Sequence, residues 1–417
     1  MTIYFAIVSP RPAILAGAVC LTLLSPPVVA QESLSFRQVL SYVFAHHPSL
    51  KGAERRHAGS QAWARGAGAQ PSPEIRLSVP AGDPSEEANS LVQRLEIGGQ
   101  TGLRSKIADF QAQQAEARMF QLQRELGVRS ADAYYSLWST RETERLLRLR
   151  FELATSLQTA AQRRLKVGEI SEHQMLRSEL ERAQAEAELV QARGQRKQAL
   201  HKLNLLLQRP ADSEVVLPLG AEVPGAEPTR EALLQSIESR PEVRIAQLAA
   251  QILHLEADLL GRQRIPDVEF EAYRSSLGRG AEQGLRLSLV LPLWDWGKTG
   301  AAVAQKEHEA EAAEADALAQ RQAVEQELLA VWELYLAERD RSQILRGQME
   351  RYLRQADLSR RGYEAGLLNL AEVFEAQRAY REATLEYVSA EASFQKRRWE
   401  VHWLTGNPML ETREKTP

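Results

Sequence analysis

Leu95-Glu96-Ile97-Gly98-Gly99-Gln100-Thr101-Gly102 and Leu293-Trp294-Asp295-Trp296-Gly297-Lys298-Thr299-Gly300 lie 198 residues apart and share a leucine, two glycines and a threonine in the same places. At that offset Gly168, Leu206 and Pro210 also fall on Gly366, Leu404 and Pro408. Upstream the offset is 193: His47-Pro48-Ser49-Leu50 falls on Arg240-Pro241-Glu242-Val243, and Pro73-Glu74-Ile75 on Pro266-Asp267-Val268. The landmarks keep their order through one slip of five residues, so the chain reads as one half-molecule written twice. The period is much longer than the roughly 20–50 residues of a solenoid unit. Duplication on this scale predicts pseudo-symmetry, which an enzyme with one asymmetric active site rarely needs.

Ahead of each octapeptide lie short alternating segments. Ile75, Leu77 and Val79 alternate with polar residues, and Leu91, Leu95 and Ile97 alternate with Val92, Arg94 and Glu96, with Gln93 interrupting the apolar face. In the second copy Val268 and Phe270 alternate with Glu269 and Glu271, and Leu285, Leu287, Leu289, Leu291 and Leu293 make a five-leucine face. A period of two with one apolar face predicts half-buried strands, paired as hairpins over about 73–97 and 266–293. Behind each octapeptide the chain has no proline until Pro210 and Pro408, and it is rich in Ala, Glu, Gln, Arg and Leu. Ala115, Met119, Leu122 and Leu126, like Val324, Leu328, Val331 and Tyr335, step by four, three and four, the spacing of packed long helices. Each window breaks once, at Val167-Gly168-Glu169-Ile170-Ser171 and Ala365-Gly366-Leu367-Leu368-Asn369. A glycine followed three residues later by Ser or Asn ends one helix and starts the next.

The windows are therefore helical hairpins, over about 102–208 and 300–405. The first arm, Gly102 to Val167, would extend roughly 100 Å at about 1.5 Å per residue. The return arms, Ser171–Gln208 and Asn369–Thr405, are shorter, and helices over Pro48–Ala69 and Pro241–Gln263 make up most of the difference. Two short helices stacked end to end are expected to flank each long one. The organisation expected is a first repeat over 31–210, a linker over 211–228, a second repeat over 229–408 and a tail over 409–417.

Residues 1–30 read as an export signal: Arg11, an apolar run from Ala13 to Leu24, then Val28-Val29-Ala30 as a cleavage site. The only cysteine, Cys20, falls inside it, so disulfides, thiol catalysis and cysteine metal ligands are excluded from the mature chain. Its sequence context is a poor one for lipid attachment. A formal charge of −3 with no basic stripe excludes nucleic acid as a partner. No later stretch is apolar enough for a helical membrane span, so a crossing must use strands. Four strands do not close a barrel, and an open edge in lipid strands unpaired backbone groups at several kcal/mol each. Several chains sharing one barrel resolves both problems.

With these elements in order, the chain resembles the TolC-like outer-membrane efflux protein family. Leu34-Ser35-Phe36 through His47-Pro48-Ser49-Leu50 is similar to its opening helix, and Leu291-Pro292-Leu293-Trp294-Asp295-Trp296-Gly297-Lys298 to its strand-to-helix junction. Arg164-Leu165-Lys166-Val167-Gly168 and Tyr363-Glu364-Ala365-Gly366 are similar to its hairpin tips. The resemblance implies a mainly α fold with a small β part: a homotrimer whose helical hairpins form a periplasmic α-barrel and whose four strands per chain share a transmembrane β-barrel in the outer-membrane lipid. It also implies docking through a periplasmic adaptor onto an inner-membrane RND-type pump. Leu95-Glu96-Ile97-Gly98-Gly99-Gln100 is similar to a stretch of the CzcC-like heavy-metal branch, with Gln100 in place of its lysine. Other readings are the duct of a type I protein secretion system or a periplasmic coiled-coil adaptor or scaffold. The adaptor's Gly- and Val-rich domains are missing.

The same resemblance puts adaptor contact at Val167, Gly168 and Ser171 and at Ala365, Gly366 and Asn369. It puts a periplasmic gate at Glu372 and Glu375, three residues apart and so on one helical face, the other reading being a plain solvated glutamate face. Position alone, at the equivalent place in the first copy, offers Arg177 as a partner for Glu375. Trp294 and Trp296 are read either as membrane-interface anchors or as core packing. No catalytic or cofactor constellation is present: His46, His47 and His57 read as surface histidines, and Gly297-Lys298-Thr299 lacks the first glycine of a phosphate loop, Pro292 standing there. No metal site and no cofactor are expected.

Overall fold

A computed structural model describes residues 33–77, 86–218, 229–277, 280–292, 294–365, 367–368 and 370–405. The export signal, the tail, the second half of the linker (219–228), Val79, Leu293, Gly366 and Asn369 lie outside the described residues.

Helix α1 (Phe36–His46) starts on a reciprocal cap: Ser35 Oγ accepts the Gln38 N–H, and the Gln38 side chain accepts the Ser35 N–H at 2.8 Å. Helix α2 (Pro48–Ala67) starts on a proline, whose missing N–H costs nothing in the first turn. His47 Nδ1 accepts the Ser49 N–H there at 3.3 Å. Helix α3 (Gln100–Lys166) is 67 residues long and α4 (Glu172–Leu206) is 35. The second copy follows with α5 (Arg230–Gln235), a 3-10 turn (Ile237–Ser239), α6 (Pro241–Arg262), α7 (Lys298–Glu364) and α8 (Leu370–Thr405). Both long helices begin just after a left-handed glycine of the repeated octapeptide, Gly99 at φ 81° and Gly297 at φ 84°. A side chain there would be strained, which explains why this glycine recurs in both copies.

The short helices stack end to end along the long ones. Arg104 donates to the carbonyls of Ala67 at 3.2 Å and Ala69 at 2.9 Å, which holds α2 beside the start of α3. Arg196 pairs with Glu144 at 2.7 Å, and Arg150 with Glu188, which holds α4 beside its end. Together α2 and α4 supply 20 and 35 residues against 67 in α3, and α1 packs where they meet. The main core forms at that junction: Phe36, Val39, Leu40 and Val43 of α1 with Leu126, Tyr134 and Tyr135 of α3, Leu200 and Leu203 of α4, and Leu207 just after it. Val215 and Leu217 of the linker join the same core, so its first half is packed rather than loose.

In the second copy Lys306 and Glu256 (3.1 Å) tie α6 to α7, and Ser342 and Glu391 (2.5 Å) tie α8 to α7. The copies are joined through α3: Gln114 donates to the Ile245 carbonyl at 3.2 Å, Trp399 Nε1 to Tyr135 Oη at 2.9 Å, and Lys396 pairs with Asp132 at 2.8 Å. The lateral order is α2/α4, α3, α6/α8, α7.

Four antiparallel strands form one sheet in chain order: β1 (Glu74–Leu77), β2 (Glu86–Leu95), β3 (Asp267–Leu277) and β4 (Gly280–Val290). The β2–β3 pairing, from Glu86 opposite Leu277 to Leu95 opposite Val268, joins the two copies. One face carries Ile75, Leu77, Leu91, Leu285 and Leu287, all exposed. The other carries ion pairs, Arg76–Glu269 at 3.2 Å, Arg94–Asp267 at 2.8 Å and Arg286–Glu271 at 2.9 Å. The leucine stripe expected to reach Leu293 ends earlier, because β4 stops at Val290 and Pro292 has no N–H to continue a ladder. Ile97 likewise lies beyond β2, which instead extends back through the polar run Glu86–Ser90 that alternation does not reveal.

Candidate functional site

The far ends of the hairpins are the first candidate. At the α3–α4 turn the Glu169 N–H bonds the Arg164 carbonyl at 2.9 Å and the Gly168 N–H bonds the Leu165 carbonyl at 3.0 Å. This is the double closure of a helix end around a left-handed residue, and Gly168 holds it at φ 74°. Ser171 then caps α4 reciprocally with Gln174, at 3.1 and 3.4 Å. Val167 stands out 70% exposed, beside the basic last turn of α3 with Arg163, Arg164 and Lys166. Ala365 is exposed at the second turn, where the Leu367 N–H bonds the Gly362 carbonyl at 2.8 Å. Leu367, 81% exposed, lies two residues past Ala365, the counterpart of Val167, and near Arg360 and Arg361, which hold Asp357 at 3.0 and 2.7 Å. Sequence reading named the turn residues and missed this exposed aliphatic side chain and its basic surroundings. The signal was visible as a hydrophobic residue inside a glycine turn.

Glu372 and Glu375 lie exposed in the first two turns of α8, while Val373 and Ala376, each the next residue along, are buried. Arg177 is exposed on α4. Gln174, its neighbour in the repeat alignment with Glu372, is occupied as the cap of Ser171. The cation nearest to Glu375 along the helix is Arg378, which bonds Glu382 at 2.9 Å. That bond, then the charges of Glu382, Glu375 and Glu181, raise the Arg378 pKa above its ordinary value. The i, i+3 and i+4 spacings of Glu375, Arg378 and Glu382 are readable in sequence, and reading missed them.

At the sheet end, Asp295 accepts the N–H groups of Gly297 at 3.0 Å and Thr299 at 2.8 Å and so caps α7. Hydrogen bonds from the Thr299 side chain and backbone hold its carboxyl below the usual carboxylate range. The glycine-lysine-threonine run is thus the start of a capped helix. Trp294 and Trp296 are 73% and 93% exposed, and Trp296 adopts a left-handed φ of 56°. The histidines are held by neighbours: His46 on the Tyr42 carbonyl (3.0 Å), His47 at the α2 cap, and His57 on the Ala112 carbonyl (3.3 Å) and Gln61 (2.9 Å). Among the described residues no three His, Cys, Asp or Glu side chains are grouped to hold a metal, and no helix is long and apolar enough to cross a membrane.

The family model described as "Outer membrane efflux protein" matches residues 39–208 and 232–407, one match per copy. The chain belongs to the outer membrane efflux protein family. It is 23% identical over 375 residues to the cobalt-zinc-cadmium resistance protein CzcC of Cupriavidus metallidurans, covering 87% of this chain and 88% of that one. A membrane protein from Pseudomonas aeruginosa has the same fold, with a TM-score of 0.73 at 18% identity over 89% of this chain and 90% of that one. So does the open state of the Neisseria gonorrhoeae MtrE outer membrane channel, with a TM-score of 0.70 at 16% identity over 89% of each. The protein is an outer-membrane efflux channel, with the strands in the membrane and the long helices in the periplasm.

Proposed function

We propose that this channel is a homotrimer serving as the exit duct of a tripartite assembly that passes divalent metal cations from an RND-type pump, through a periplasmic adaptor, to the exterior. The observation that carries the assembly is the sheet. Strands β1 and β4 end it with edges that no strand of the same chain pairs among the described residues, while its apolar face is open. Edges can be closed in lipid only by other copies. The charged face then lines the lumen, and the export signal of residues 1–30 delivers the chain. Likeness to CzcC over most of both chains supports a metal cargo.

In this reading Val167, Gly168, Ser171, Ala365, Gly366 and Asn369, with Leu367, form the adaptor surface. Trp294 and Trp296 sit at the lipid headgroups. Glu372 and Glu375 ring the entrance with Arg177 nearby, so three chains bring six carboxylates to one constriction, which favours cations.

The test joins physiology to conductance. Deleting the gene should sensitise cells to cobalt, zinc or cadmium, and the intact gene should restore resistance. In single-channel recordings Glu372→Gln with Glu375→Gln should lower cation preference, by less as salt rises above about 0.1 M, where screening acts over about 10 Å. The double Lys variant should reverse the preference, and Arg177→Ala should raise the resting conductance. Unchanged selectivity in both double variants removes the gate; unchanged metal tolerance on deletion removes the metal cargo.

A further inference from the structure

Helix α7 leaves bare a face that its counterpart α3 covers. On α3 the line Gln113, Ala117 and Arg124 meets α6: Arg244 donates to Gln113 Oε1 at 2.8 Å, Arg124 pairs with Glu242, and Ala117 is buried. The 198-residue offset carries that line to Glu311, Ala315 and Gln322 of α7. Helix α7 packs on α6 through an adjoining side, with Lys306 on Glu256, Glu314 on His254 and Ala310 buried. On the bare side the Glu311 side chain is 70% exposed, met among the described residues only by His308 of its own helix at 3.2 Å, and Leu318, two turns on, is 57% exposed.

Helix α2 shows the complementary vacancy. The 193-residue offset carries Arg244 to Lys51, Leu248 to Arg55 and Ile252 to Gly59. Leu248 and Ile252 are buried between α3 and α7, whereas Lys51 and Arg55 are exposed and a Cβ on Gly59 would meet nothing within 4 Å. The chain therefore makes one interface internally, α3 with α6, and carries its two halves again, unmated, on α7 and α2.

The charges of those halves are opposite. Helix α2 carries Lys51, Arg55, Arg56 and Arg65 against Glu54. The stretch of α7 over 305–316 carries Glu307, Glu309, Glu311, Glu314 and Asp316 against Lys306. Mapping the Arg244–Gln113 contact through the two offsets puts Lys51 on Glu311. Because α3 and α6 run antiparallel, one turn forward on α2 from Lys51 to Arg55 is one turn back on α7 from Glu311 to Glu307, which gives a second pair in register.

We propose that α2 of a second copy of this chain docks on α7 through Lys51–Glu311 and Arg55–Glu307 pairs, and that these pairs set the register between copies. The inference rests on the homotrimer reading above and goes beyond it by naming the seam. Rim pairs of this kind choose the partner and its register more than they supply affinity. They also weaken as salt rises.

The test uses the full chain extracted from outer membranes. Cys20, the only cysteine of the sequence, lies in the export signal, so the exported chain offers no thiol of its own and paired Cys variants give clean thiol chemistry. With Lys51→Cys and Glu311→Cys together, a short bis-maleimide should yield a band of three linked chains. Each single variant, and Lys51→Cys with Glu350→Cys, should not. Lys51→Glu alone and Glu311→Lys alone should each speed dissociation of the trimer on heating about tenfold, since a pair turned to repulsion acts at three seams, and the double reversal should return to within about twofold of the parent. A three-chain particle with no cross-link, or with reversals that add instead of cancelling, overturns the seam and leaves the trimer standing. A single-chain particle from the unmodified protein overturns both.

Discussion

Phe36→Ala is expected to be the most damaging single truncation in the helical part, lowering stability by about 3–5 kcal/mol. Phe36 is fully buried, and its ring centroid lies 5.3 Å from Tyr134 of the first copy and 4.6 Å from Trp399 of the second. One ring thus packs against both repeats, beside the Trp399–Tyr135 hydrogen bond and the Trp403 ring. Truncation leaves a cavity that helices as long as α3 and α8 cannot collapse around. The measurement is loss of near-ultraviolet circular dichroism on heating in detergent, with Trp63→Ala as control, because Trp63 is 64% exposed and its loss should move the midpoint little. Equal shifts in the two variants would show that the aromatic cluster does not hold the repeats together.

Leu287→Arg should have the largest effect on assembly in the membrane. Leu287 is 73% exposed at the middle of β4, opposite Phe270 on the same apolar face. A cation on the lipid face near the bilayer midplane costs about 2–4 kcal/mol, and in the proposed homotrimer the cost recurs three times. Folded protein recovered from outer membranes should fall sharply. Ser288→Arg, one residue on and facing the charged side with Glu269, should be tolerated. Recovery of both variants at the parent's level would mean that the leucine face does not meet lipid.

Much of this architecture is legible in the sequence because duplication displays it twice. Helix α3 begins within two residues of the expected Gly102, and the stacked helices α2 and α6 begin on the prolines that mark them. Strand ends were harder to read. Glu86–Ser90 pairs with β3 through backbone groups, so its side chains carry no period, and Pro292 cut short a stripe that alternation alone prolonged. At the tips, Gly168 and Ser171 declared themselves because φ and capping demand those residue types. Leu367 and Arg378 did not, since an exposed leucine or an arginine beside glutamates looks ordinary until the turn and the helix face are placed. Packing of Val215 and Leu217 was hidden for a related reason: the apolar run Val215-Val216-Leu217, stopped by Pro218, is too short to show a period.

The central claim, that one chain supplies a third of a shared barrel, is tested most directly by the native mass of the particle extracted from outer membranes in detergent. The account predicts a particle of three chains that keeps its β circular dichroism. A single chain that retains the full β signal would contradict it, because four strands would then be closing their edges without other copies.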